Sequence, residues 1–269
     1  MLDFDSESCI NLLNKQFSKS ANRLIIASKR IRYCKQCGVR CFLTQTVIIP
    51  TLNEEENIGR IIRLIFTHLG STNVQIIVVD DNSTDNTHSV IRSLQTQYKG
   101  LKLIIRTNKR GLSSAVQDGA KQIDAGPVVV MDADLSHNPI YLKPIFEQLS
   151  RGYDVVVGSR YITDGGIEGW TGMRIAMSKI ASLIGRISLR IKIHDPMSGF
   201  VGVRSKDILV SGFSDADYKF LIEILARNRN LRVTEVPIVF RDRMRGKSKL
   251  GAKTIFLYLM LVFRLIFIH

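Results

Sequence analysis

Two aspartates one residue apart, Asp132 and Asp134, close the apolar run Val129-Val130-Met131 and are followed by Leu135-Ser136-His137. Such a run reads as a buried parallel strand, and residues i and i+2 of an extended chain point the same way. Carboxylates just past the carboxyl end of such a strand sit where open α/β sheets bind ligands. A pair of them suits a hard divalent cation, Mg2+ or Mn2+, which shares its shell with a substrate diphosphate. The competing reading of the same residues is a solvated turn. A second stretch, Arg241 to Leu250, carries Arg241, Arg243, Arg245, Lys247 and Lys249 around Gly246. Alone it is a basic turn; on the same rim as the aspartates it becomes a phosphate clamp.

The elements that must position these residues follow from the pattern. Short apolar runs at Val47–Ile49, Ile76–Val79, Leu101–Arg106 and Val128–Met131 alternate with helical spacings that run to Leu69, to about Gln97 and from Ser113 to Ile123. Alternation of this kind predicts a mostly parallel sheet with helices on both faces. Pro50 ends the first run, Asn53 is placed to cap the first helix, and Ser83 or Thr84 the second. The turns after the strands then gather Pro50, Asp80, Asp81, Arg110, Asp132 and Asp134 on one rim. Further on, Pro139–Ser150, Met173–Arg190 and Tyr218–Arg229 read as helices, and Tyr153–Val157, Val201–Val203 and Arg232–Val239 as extended chain.

Charge and cysteine usage bound the rest. The chain has 269 residues and a formal net charge of +14, with cations crowded at Lys15–Arg40 and Arg227–Lys253. Basic ends suit an anionic membrane surface or a nucleic acid. The four cysteines, Cys9, Cys34, Cys37 and Cys41, all precede the alternating region, so a disulfide framework for the main domain is excluded. Cys34-x-x-Cys37-x-x-x-Cys41 is half of a zinc pattern with no second pair after it. Residues 1–44 carry no apolar stretch like a secretory signal and divide off as a basic extension, ahead of a main domain at 45–250. The final stretch, 251–269, is almost wholly apolar. Thr254–His269 is too short to span a bilayer, which takes about 20 residues, and it reads as a core helix, an interfacial membrane-proximal helix or the cut end of a membrane span.

Taken together, Pro50-Thr51-Leu52-Asn53-Glu54, Asp80-Asp81-Asn82-Ser83, Asp132-Ala133-Asp134-Leu135-Ser136-His137, Gly158-Ser159-Arg160-Tyr161, Asp195-Pro196-Met197-Ser198-Gly199-Phe200 and Arg243-Met244-Arg245-Gly246-Lys247-Ser248-Lys249-Leu250 resemble the dolichol-phosphate mannosyltransferase family. That family lies among the inverting GT-A glycosyltransferases of family 2. The resemblance implies a GT-A, Rossmann-like α/β fold with an apolar carboxyl-terminal helix. It also implies roles. Pro50, Leu52 and Glu54 would line the base and ribose pocket, with Asp80 or Asp81. Asp132, Ala133 and Asp134 would face the diphosphate, with Asp132, Asp134 and Ser136 on the metal. Arg160, Arg243 and Lys249 would hold phosphates, Arg174 and Ser198 would lie near the acceptor, and Asp134 and Arg243 would carry catalysis. Two positions depart from the family: Leu52 stands where a tyrosine is frequent, and Ser136 where some members have glutamine, a better metal ligand.

The reaction so implied moves mannose from GDP-mannose to a polyprenyl (dolichyl) phosphate with inversion, for glycosylation. A phosphate monoester, with a second pKa of about 6, is already largely dianionic at neutral pH and needs no strong base. His137 is the nearest histidine and serves equally well as structure. The implied partners are GDP-mannose, the lipid phosphate, a membrane surface on the cytoplasmic side and a small membrane-anchoring subunit, with no nucleic acid. Two rivals stand beside this reading. One is glucose transfer from UDP-glucose to the same lipid class; the other is a non-catalytic nucleic-acid-binding protein using the basic ends.

Overall fold

The computed structural model describes residues 31–33, 40–42, 44–108, 111–211, 213, 219–242 and 252–266. Strands β1 (Ile31–Tyr33) and β2 (Arg40–Phe42) pair antiparallel with each other, before the main sheet begins. The sheet is built from β3 (Gln45–Thr51), β4 (Val74–Asp80), β5 (Leu101–Ile105), β6 (Val128–Val130), β7 (Val155–Ser159), β9 (Val201–Val203) and β10 (Val233–Pro237), in the order β10-β7-β9-β6-β3-β4-β5. All its pairings are parallel except those of β9, which runs antiparallel to both β6 and β7. Two further short strands, β8 (Gly166–Glu168) and β11 (Val239–Arg241), form a parallel pair beside the sheet.

Strand residues alternate between two cores, as the twofold period of a strand requires. Val47, Ile49, Ile76, Val78 and Val129 face one side, packed under helices α1 (Ile58–Leu69), α2 (Thr87–Gln95) and α4 (Leu142–Ser150). Ile48, Ile77, Val79, Val128 and Val130 face the other. There they meet α3 (Leu112–Lys121), the short α6 (Asp207–Val210), α7 (Phe220–Arg227) and α8 (Ala252–Ile266). Every one of these strand side chains is at most 1% exposed, which is why the strands read as continuous apolar runs. Helix α5 (Gly172–Leu189) packs against α8, with the Tyr258 hydroxyl donating to the Ala181 carbonyl at 2.7 Å. Gly119 lets α3 lie close to the sheet: a Cβ there would come within 3.0 Å of both Ile48 and Val79.

The predicted mostly parallel sheet with helices on both faces is what the chain forms, and the apolar carboxyl-terminal stretch is helical. Two local expectations are corrected. Pro50 lies within β3 rather than ending it. Asn57 and Asn86, not Asn53 and Ser83 or Thr84, stand at the caps of α1 and α2, and neither makes a side-chain capping bond. The glycine-rich loop after Tyr161 contains strand β8, recruited by β11 from more than seventy residues away.

Strand order reverses direction at β3: the chain proceeds outward through β4 and β5, then returns to place β6 on the other side. A crevice at such a switch point, beyond the carboxyl ends of the strands, is the expected ligand site of an open α/β sheet. The turns after β3, β4 and β6 all open there.

Candidate active site

The Asp132–His137 segment is held by both backbone and side chains. Met131 donates its N–H to Ile48 at 3.1 Å, continuing the β6–β3 ladder up to the first aspartate. Leu135 takes a left-handed backbone, φ 61°, a rare conformation for a bulky side chain. That reversal brings Ser136 back onto Asp134: its N–H and hydroxyl both donate to Asp134 Oδ1, at 3.0 and 2.6 Å. Asp134 is thereby fixed and 8% exposed, while the Asp132 side chain is 31% exposed at the crevice. The Ser136 hydroxyl therefore orients Asp134, whatever further ligand its oxygen takes.

His137 is a structural partner of Asp132. Its ring is 3% exposed, stacked on Phe200 with centroids 4.9 Å apart and edge-on to Phe240 at 5.4 Å. Its Nδ1 accepts the Asp132 N–H at 3.4 Å and lies 3.7 Å from Asp132 Oδ2. Burial pushes the imidazole pKa below its usual value despite the nearby charges of Asp132 and Asp134, so the ring stays neutral with its proton on Nε2.

The turns after β3 and β4 lock together. Asn53, at φ 55°, donates its N–H to Ser83 Oγ at 2.8 Å, and its side chain accepts from Thr84 N–H at 2.9 Å. Glu54 N–H donates to Thr87 Oγ1 at 2.9 Å. Leu52 projects outward, 43% exposed, and Pro50 stands beside it at the strand end. Asp80 is wholly buried and accepts from Ser83 N–H at 2.7 Å, from Ser83 Oγ at 2.6 Å, and faces His88 Nε2 at 2.6 Å. Its carboxylate is committed to the turn. Asp81 is the one at the rim, gripped from below by Arg106, whose Nε donates to Oδ1 at 2.7 Å, and by Gly111 N–H at 2.8 Å. Arg106 also holds Ser114 at 2.8 Å and Asp118 at 3.2 Å. Both aspartates that the sequence left open are therefore held by neighbouring groups, Asp80 by the Ser83 turn and His88, Asp81 by Arg106 and Gly111.

The predicted phosphate and acceptor residues divide. Arg160 is 9% exposed, and its fork closes on the fully buried Asp195. Tyr161, Trp170 and Phe240 surround its guanidinium at 5.1, 5.6 and 5.6 Å. Arg174, in the first turn of α5, stacks on Trp170 at 3.9 Å and donates to both Asp242 oxygens, at 3.1 and 3.0 Å. The Ser198 hydroxyl donates to the Gly158 carbonyl at 2.7 Å and accepts from Phe200 N–H at 3.2 Å, bracing the turn before β9. Arg110, Arg243 and Lys249 lie outside the described residues, as do Cys9, Cys34 and Cys37. The root of the basic stretch is nonetheless visible: Arg241 N–H donates to the Ser136 carbonyl at 3.2 Å, tying β11 to the aspartate motif.

Sequence reasoning missed Arg106, Trp170, Asp242 and Lys219. Lys219, at the start of α7, shares the field of Asp132, Asp195 and Arg160. Burial, with help from Arg160, brings its ammonium down to about 8. Nothing in the local sequence marks this lysine apart from a solvated one.

As a metal site the crevice offers two carboxylates. No group of three or more His, Cys, Asp or Glu side chains suited to a metal occurs among the described residues. A divalent ion held here would draw its remaining oxygens from water and a substrate, the usual condition of Mg2+ beside a diphosphate. The donor set fits such an ion.

An acidic crevice at the switch point of a seven-stranded mixed sheet is the architecture of a GT-A glycosyltransferase. Solved structures with this fold include glucosyl-3-phosphoglycerate synthase from Mycobacterium tuberculosis. Its complex with Mn2+, UDP and phosphoglyceric acid matches at TM-score 0.61 and 20% identity, over 82% of this chain and 78% of that one. The complex with Mg2+ and UDP matches at TM-score 0.60 and 20% identity, over 82% and 79%. The family model for glycosyl transferase family 2 matches residues 46–209. Dolichol-phosphate mannosyltransferase of Pyrococcus furiosus is 42% identical over 222 residues, 82% of this chain, and this chain spans 63% of that protein's length. The enzyme of the same name from Saccharomyces cerevisiae is 35% identical over 231 residues, covering 80% of this chain and 84% of that one. The chain belongs to glycosyl transferase family 2, in its dolichol-phosphate mannosyltransferase branch.

Proposed function

We propose that this chain transfers mannose from GDP-mannose to dolichyl phosphate at the cytoplasmic side of a membrane, with inversion at the anomeric carbon. The observation that carries the reading is the placement of Asp132 and Asp134 at the switch point, in a chain 35% identical to a dolichol-phosphate mannosyltransferase over most of both lengths. Asp81, Pro50, Leu52 and Glu54 line the side of the crevice that takes the nucleoside. Asp132 and Asp134 face the diphosphate, with Ser136 and His137 holding them in place. A divalent cation bound there would neutralise charge on the departing diphosphate. Arg243 and Lys249 come after β11 in sequence and are the cations proposed to hold the same phosphates; β11 itself is anchored to Ser136.

An oxygen of the acceptor phosphate attacks the anomeric carbon from the face opposite the diphosphate. The carbon–oxygen bond to GDP breaks as the new one forms, and GDP departs with the electron pair. The phosphate is already dianionic near neutral pH, so the chain need not remove a proton. This agrees with His137, which is buried, neutral and bonded to backbone. What the residues would supply is position and positive charge: Arg174, in the first turn of α5, and Lys219, within the field of Asp132, are the cations proposed to meet the acceptor phosphate.

Donor choice is tested by competition. Labelled GDP-mannose should give a labelled lipid product that excess unlabelled UDP-glucose leaves unchanged and excess GDP suppresses. Suppression by UDP-glucose and not by GDP would assign the crevice to the uridine donor instead.

A further inference from the structure

The β3–β4 ladder runs out at Thr51 and Asp80, with Asp81 N–H on the Thr51 carbonyl at 2.9 Å. Beyond it, strand pairing gives way to hydroxyls. The next two backbone N–H groups of the β3 turn go to side chains that follow β4: Asn53 N–H donates to Ser83 Oγ at 2.8 Å and Glu54 N–H to Thr87 Oγ1 at 2.9 Å. Each hydroxyl is turned to accept because a carboxylate takes its proton. Ser83 Oγ donates to Asp80 Oδ2 at 2.6 Å, and Thr87 Oγ1 to Asp85 Oδ1 at 2.6 Å. A hydroxyl has one proton, so fixing where that proton points fixes the side that accepts. The two relays differ in where they end. Asp85 is partly exposed, so water can reach it, whereas Asp80 is wholly buried. A buried carboxylate keeps its charge only through donors that the protein supplies.

Two donors to Asp80 come from Ser83, its N–H at 2.7 Å and its hydroxyl. A further one comes from outside the turn: His88 Nε2 lies 2.6 Å from Asp80 Oδ1. His88 stands in the first turn of α2, its side chain 22% exposed. A carboxylate only accepts, so the imidazole donates from Nε2. We propose that His88 is a positioning residue for the donor nucleoside, setting the Leu52–Asn53 peptide through Asp80 and the Ser83 hydroxyl. Asn53 has φ 55°, a left-handed step that the bond from its own N–H secures, and Leu52, 43% exposed, is carried on that step. Without His88 the Asp80 carboxylate is charged, buried and one donor short. Ser83, the link to Asn53, is then the group that shifts to meet it, and the wall formed by Pro50, Leu52 and Glu54 loosens. His88 touches no substrate in this scheme; it acts on the pocket through Asp80. The inference rests on the reading of this side of the crevice as the nucleoside's.

The test compares the full chain with His88→Leu, which removes the donor, and His88→Gln, whose amide restores one near the position of Nε2. Binding of GDP and of UDP with Mg2+ is measured by calorimetry, and KM for GDP-mannose and for dolichyl phosphate by steady-state rates. His88→Leu should raise the GDP dissociation constant and the GDP-mannose KM about tenfold, roughly the loss of one charge-assisted hydrogen bond, with kcat changed by less than about twofold. KM for dolichyl phosphate should stay the same, and His88→Gln should recover most of the loss. If His88→Leu does not melt cooperatively, His88→Asn, polar but too short to reach Asp80, takes its place with the same expectation. Unchanged GDP binding overturns the role. So does a fall in kcat with both KM values unchanged, which makes His88 a fold contact only, and so does an equal rise in both KM values. If the wild type binds UDP and not GDP, the guanosine donor of the proposed reaction fails, and the same comparison made with UDP still decides the role of His88.

Discussion

The guanidinium of Arg160 lies against the carboxylate of Asp195, Nε to Oδ2 at 2.7 Å and Nη2 to Oδ1 at 2.8 Å, with side chains 8% and 0% exposed. The pair sits under the crevice, within an aromatic ring of Tyr161, Trp170 and Phe240. Arg160 therefore does more for architecture than a surface phosphate clamp would. Removing one partner leaves the other charged and buried, which costs about 3–5 kcal/mol. Asp195→Ala should lose stability on that scale in urea denaturation and lose transfer with it. A loss below about 1 kcal/mol would mean the pair is solvated in solution.

Much of this was legible beforehand. The strands showed because both faces of each are covered, which leaves runs such as Val47-Ile48-Ile49 with no polar residue to mistake. Asp132 and Asp134 could be placed past the carboxyl end of a strand because the apolar run stops there, although the same residues read equally well as a solvated turn. What did not show depends on contacts between distant segments. β9 reads like any parallel strand, and only its partners β6 and β7 make it antiparallel. Asn53 and Ser83 look like helix caps, but the Asn53 side chain accepts from Thr84 N–H, and the Ser83 hydroxyl accepts from Asn53 N–H and donates to Asp80. Arg106 and Lys219 carry no local signal, since their meaning comes from Asp81 and Asp132, brought near by the fold.

Lys219 should give the enzyme an alkaline limit. Its folded pKa of about 8 lies below the ordinary lysine value, so the ammonium is present below that pH and lost above it. If the charge meets substrate phosphate, kcat/KM should decline as pH rises through about 8, since that ratio reports the free enzyme. Lys219→Met should lower kcat/KM roughly tenfold at pH 7, the loss of about one charge-assisted contact, and flatten the decline. An unchanged alkaline limb in the variant would remove Lys219 from the site.

His137 makes the opposite kind of prediction, about stability. Its imidazole is kept neutral in the folded protein, chiefly by burial, so below about pH 6.5 the unfolded chain binds a proton that the folded chain refuses. Stability is then full above that pH and declines as pH falls, by at most about 1.4 kcal/mol per pH unit for one proton. In buffer free of divalent ions, the melting temperature of His137→Gln should be lower than wild type at pH 7.5 and less steep between pH 6.5 and 5. Parallel curves would show that this histidine takes up its proton in the native state.

Arg243 follows β11 into the basic stretch and is expected to hold the leaving diphosphate. Arg243→Ala should cut turnover about ten- to a hundredfold, the worth of a charge-assisted contact that tightens as GDP departs. Arg243→Lys should recover part of that, because lysine lacks the two-pronged geometry. Wild-type turnover in Arg243→Ala would make the stretch an ordinary basic turn.

The most direct test is thin-layer analysis of the lipid product made from radiolabelled GDP-mannose and dolichyl phosphate, by the wild type, by Asp134→Ala and by the wild type in excess chelator. The wild type should form dolichyl phosphate mannose. Asp134→Ala, folded as judged by circular dichroism, and the chelated enzyme should form none. Lipid product undiminished in the variant and the chelator, or no mannosyl lipid from the wild type, would contradict the account.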